Sequence, residues 1–80
     1  MIANLIEIKE GFGGSFRPYI VTEKKTNSQD ILEMLVHEGF FFSDEEILIR
    51  EELFTIVYYT TAFDKVVVVK QKPIPFENAQ

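Results

Sequence analysis

Apolar residues change their spacing several times along this chain, and each change marks an element. The densest apolar stretch is LFTIVYYTTAFDKVVVVKQK, from Leu53 to Lys72. Leu53 to Thr61 is almost entirely aromatic, aliphatic or Thr, and Val66 to Val69 is an unbroken valine run. Such side chains suit a pleated, half-buried surface and fit poorly in a helix. Ala62 to Lys65 reads as a turn between two strands. With Thr61 opposite Val66, one face carries Phe54, Ile56, Tyr58, Val67 and Val69. The other carries Thr55, Val57, Tyr59, Val66, Val68, Lys70 and Lys72. A slip of one residue exchanges the faces of one strand, so this register is an expectation. The first face is the more apolar and is assigned to the core. Val57, Tyr59, Val66 and Val68 on the second still call for cover. They are the expected self-association surface.

The rest of the chain supplies partners for this hairpin. Ile2 to Ile8 alternates in part and reads as a strand. Three glycines in the next turn, Gly11, Gly13 and Gly14, allow positive φ and a loose connection. Phe16 to Thr22 resumes a strand, and Pro18 within it points to an edge. Ile31, Leu32, Leu35 and Val36, flanked by Met34, fall on one stripe of a helix of about eleven residues. Ser28, or Thr26 with Gln29, can cap its start, and Gly39 can stop it. Phe40, Phe41 and Phe42 then stand in a row and cannot all enter one small core. Ser43 and Glu46 fit a capping box, yet Ile47, Leu48 and Ile49 favour a short strand from about Glu46 to Arg50. Glu51 and Glu52 connect that strand to the hairpin. Pro73 and Pro75 end the sheet. Residues 1–76 therefore read as one small α+β domain, with a helix on a mostly antiparallel sheet in the order ββαβββ, and 77–80 as a frayed tail.

Composition narrows the chemistry. The chain has no cysteine, so neither a disulfide nor a thiolate zinc site is available. The N-terminal stretch lacks the basic and long apolar regions of a secretory signal, and no run is long enough for a membrane span. The expectation is a cytoplasmic protein without a membrane partner. The formal net charge is -5, and it is uneven. From Asp30 to Glu52 eight carboxylates face Arg50 alone. That balance argues against general binding to a phosphate backbone and for an acidic surface that meets a basic partner.

Motifs for catalysis are weak. Gly11-Phe12-Gly13 matches a fragment of an RNA-binding signature, but Glu10, Gly14 and Ser15 break it. His37 with Glu33 offers two possible metal ligands, too few for a site. The serines have no evident base. No catalytic, cofactor-binding or metal-ligating role is assigned, and the expectation is a protein that is not an enzyme. Eleven aromatic residues exceed what so small a core can hide. The leading reading is a protein-binding module, a regulator or inhibitor and a homodimer through its sheet. Its partner-binding residues would be Phe41, Phe42, Asp44, Glu45, Glu46, Glu51 and Glu52. In size and charge alone the chain is similar to phage-encoded inhibitors that mimic nucleic acid. The alternatives are a single-stranded nucleic-acid binder using Phe12, Phe16, Tyr19 or Tyr59 with Lys65, Lys70 and Lys72, and a structural subunit of a larger assembly.

Overall fold

The structure is a computed structural model and describes residues 2–75. The tail reading for 77–80 lies outside the described residues. Strands β1 (Ile2–Glu10) and β2 (Arg17–Thr22) precede helix α1 (Ser28–His37), and β3 (Ile47–Glu51), β4 (Thr55–Thr60) and β5 (Val66–Pro75) follow it. All pairings are antiparallel, and the sheet order is β2-β1-β5-β4-β3. This is the expected α+β fold in the order ββαβββ. The long β1–β5 pairing, from Ile2↔Pro75 to Glu10↔Val67, joins the beginning and end of the described chain at the centre of the sheet.

Alternation along the strands decides where the core forms. Ile6 and Ile8 of β1, Val67 and Val69 of β5 and Tyr58 of β4 point to one face. Ile31 and Leu35 of α1 cover them, and Phe41 closes the end. Tyr58 is fully buried, and its hydroxyl donates to the Ser28 carbonyl at 2.8 Å. That bond fixes the first turn of α1 above the middle of β4.

The ends of α1 have identifiable stops. Asn27 is the N-cap, with its side chain accepting from the Asp30 N–H at 2.8 Å. Its backbone is extended, whereas Ser28 is already helical and donates instead to Glu51. The cap therefore differs from the two expected ones. At the other end Gly39 has φ 91. The Gly39 N–H donates to the Val36 carbonyl and the Phe40 N–H to that of Leu35. These paired bonds satisfy two of the last-turn carbonyls and turn the chain back over the core.

Three expectations need correction. Tyr59, not Thr61, lies opposite Val66. The shift is two residues, so each side chain keeps its expected face. The β4 strand starts at Thr55, which leaves Leu53 and Phe54 in the turn, 87% and 77% exposed. Phe54 is thus absent from the core face. Finally, β5 continues through Pro73 to Pro75. Its pairing with β4 ends at Lys70↔Thr55. Beyond that point β1 is its only strand neighbour among the described residues, and a residue without an N–H is tolerated at such an edge. Residues 47–51 form a strand, so the Ser43–Glu46 signature opens no helix.

A polar cluster holds the connection between β2 and α1. The Gln71 amide donates to the Thr26 carbonyl and accepts from the Thr26 N–H, both at 2.9 Å. Asn4 donates to the same Gln71 oxygen at 2.7 Å and to the Thr22 hydroxyl at 3.2 Å. Gln71 therefore pairs with a loop backbone as a neighbouring strand would. Among the described residues no helix is long and apolar enough to cross a membrane.

Candidate protein-interaction surface

One end of the sheet gathers three loops: residues 11–16 between β1 and β2, residues 38–46 after α1, and residues 61–65 between β4 and β5. Each presents a phenylalanine to solvent. Phe12 is 63% exposed, Phe42 67% and Phe63 59%. The loops are tied to one another. The Gly11 N–H donates to the Val66 carbonyl at 2.8 Å. Lys65 bonds Glu45 at 3.0 Å and lies over the Phe42 ring at 4.2 Å. A groove of about 770 Å3 runs between them, lined in part by Phe12, Phe40, Phe63 and Lys65.

Local geometry sets each ring. After Gly39 the chain places Phe40 edge-on to Tyr19, with ring centroids 6.0 Å apart. Phe41 turns inward and is only 2% exposed. Its expected role as a partner anchor is therefore corrected: its ring is spent in the core, and Phe42 is the exposed one. The Phe42 N–H donates to a Glu45 carboxylate oxygen at 2.7 Å, while the Glu45 N–H donates to the Phe42 carbonyl. This closes a turn that aims Phe42 outward. Phe63 has φ 60, a region that a bulky side chain seldom adopts. Its ring lies flat on Tyr59, with centroids 4.8 Å apart. That stack is one of the contacts that hold the unfavourable backbone conformation in place.

The expected acidic residues divide. Asp44, Glu45 and Glu46 lie at the loop end, and Glu51 and Glu52 at the far end of β3. A five-residue strand of about 17 Å separates them. They form two groups rather than one patch. Glu45 is committed within the molecule: the Phe42 N–H, then Lys65, hold its carboxyl below the usual range. Asp64 is likewise lowered, chiefly by the Thr60 hydroxyl. Glu51 accepts from Ser28, and Glu52 pairs with Arg50 at 2.9 Å. Asp44 and Glu46 stay exposed in the same loop as Phe42.

The expected self-association residues do share a face. Val57 opposes Val68, and Tyr59 opposes Val66, on the side away from α1. Val57 and Val68 are 7% and 5% exposed in the single chain. Their cover comes from this chain's own neighbours, so these two do not call for a second copy. Tyr19, considered as a stacking ring, lies instead on the helix side against Phe40.

Sequence reasoning missed Phe12 and Phe63 as a set with Phe42. An apolar side chain in a glycine loop, and another in a hairpin turn, were the signals. It also missed Leu53 and Phe54, which stand at the opposite end of the sheet. Comparisons with protein-family models, with curated proteins and with solved structures find no match.

Proposed function

We propose that this protein is a cytoplasmic, non-enzymatic binding module that docks on a protein partner through its loop end. The observation that carries this reading is that three separate loops at one end of the sheet each expose a phenylalanine, Phe12, Phe42 and Phe63, all more than half exposed. Loop tips are ordinarily polar, and a cluster of exposed rings is a feature of interaction sites. The Lys65–Glu45 ion pair connects two of the loops, Lys65 lies over Phe42 and Phe63 lies on Tyr59, so two of the three rings are held before a partner arrives. A held ring loses less freedom on binding than a free one.

The partner's chemistry follows from the surroundings. Asp44 and Glu46 are exposed in the same loop as Phe42, and Glu10, Glu38 and Asp64 border the groove. A complementary surface has apolar pockets with basic residues at their rim. Such a module acts as a regulator or inhibitor by occupying a site on that partner. Leu53 and Phe54 are more exposed, but both come from one turn, which meets the 25–28 connection across a groove without a third exposed ring.

The test is an affinity capture from host lysate with wild-type protein and with F12S/F42S/F63S. A single stoichiometric protein on the wild type, reduced about tenfold or more by the triple variant, is the expected result. Equal capture by a folded triple variant would overturn the assignment of this surface.

A further inference from the structure

The face of the sheet turned away from α1 holds a different chemistry. Strand register places Lys9, Arg50, Lys70 and Lys72 on it, half of the chain's eight basic residues. Glu7 is the strand carboxylate among them. Glu10 and Glu51 lie on the helix side, opposite Val67 and Ile56. Residues 26–49, which supply α1 and the loop after it, contain six carboxylates and neither Lys nor Arg. A chain of net charge -5 thus sorts its charge by face. We propose that this open face binds single-stranded nucleic acid, at a site that shares Phe63 alone with the loop-end docking surface.

Charge complementarity selects a polyanion. Lys70 and Lys72 are two residues apart on one strand, hence about 7 Å apart along it. That step is close to the spacing of successive phosphates in an extended strand. The cations are also partly held. The Phe16 ring meets the Lys9 ammonium at 4.9 Å and that of Lys70 at 4.4 Å. Lys70 and Lys72 both approach the same Glu7 oxygen, each at 3.9 Å. That oxygen is buried and has no hydrogen-bond partner. Glu7 therefore positions two ammonium groups and offsets part of their charge. Glu52 reaches Arg50 from the end of its strand and offsets another part.

Stacking favours a single strand over a duplex or an acidic polypeptide. Phe16 is occupied by lysines, but Phe63 lies on Tyr59 at the loop end of this face and keeps an exposed outer side. An unpaired base can stack there while its backbone follows the row of cations. A duplex keeps its base faces covered, and an acidic peptide has no base to stack.

The experiment is fluorescence anisotropy with labelled oligo-thymidine and oligo-uridine strands of about 20 nucleotides in low salt. Saturable binding is expected, with a logarithmic salt slope of about -2 to -3 for three or four phosphates. K9Q/K70Q/K72Q, shown folded by circular dichroism, should weaken binding about tenfold or more. E7Q should tighten it about twofold or more, because the two lysines lose their counter-charge. F12S/F42S, which spares this face, should bind as wild type does. No binding by wild type and E7Q at low salt overturns the proposal. So does affinity unchanged in the lysine variant, or equal affinity for a polyglutamate probe. If the lysine variant fails to fold, E7Q decides: unchanged or weaker binding by it is contrary. Loss of the protein partner in F12S/F42S, with strand binding kept in the same variant, would separate the two surfaces.

Discussion

At the scale of single residues, buried polar groups do more to specify this fold than surface charges. Tyr58 shows how. Burial, and secondarily the charge of Glu51, raises its phenol well above the usual value of 10.0. The folded state thus favours the neutral form. The resulting stability is present below pH 10 and is lost as pH rises past the unfolded value. Wild type should lose stability between about pH 10 and 12 more steeply than Y58F, as read by urea unfolding. Parallel profiles for the two would contradict this. At neutral pH, Y58F should cost about 1 kcal/mol through the bond to Ser28. Glu45 has the opposite sign. Its depressed carboxyl lends the loop stability that is present above its usual pKa and lost as pH falls below it.

At the scale of elements, the connection between β2 and α1 hangs on Gln71. Its amide makes two bonds to Thr26 and accepts one from Asn4. Q71A leaves buried Asn4 without its shorter bond and frees the loop before the helix. The expected loss is about 2–3 kcal/mol by chemical denaturation, with faster amide exchange in residues 23–27. A loss under about 0.5 kcal/mol would show that the cluster is replaceable by water.

This cluster also marks the limit of what the sequence discloses. Alternation revealed which of Ile56 to Tyr59 and Val66 to Val69 point inward, because a face repeats every two residues. The same periodicity is blind to a shift of two, so the Tyr59↔Val66 register was not legible. Phe54 was misplaced because apolar character alone extended β4 through the turn. The Gly39 stop and the edge position of β2 were legible, since glycine and proline restrict the backbone directly. Asn4 and Gln71 are 67 positions apart, and no local pattern links them. The surplus of aromatic rings was likewise visible in composition, whereas the placing of Phe12, Phe42 and Phe63 at one end of the sheet depends on the tertiary arrangement of three loops.

At the scale of the whole molecule, the sheet is a scaffold with distinct surfaces. One face and α1 enclose the core, with the acidic segment around them. The opposite face carries basic residues, and the loop end displays the phenylalanines. The edge strands β2 and β3 flank both faces. Pro18 and a register irregularity interrupt β2, features that discourage strand addition. Docking is therefore expected at the loop end rather than along that edge. The most direct measurement is amide hydrogen exchange of the captured complex against the free protein. Added protection concentrated in residues 11–16, 40–46 and 61–65 is the predicted result. Protection confined to the β2 or β3 edge, or to Glu52–Thr55, with the three loops unchanged, would contradict it.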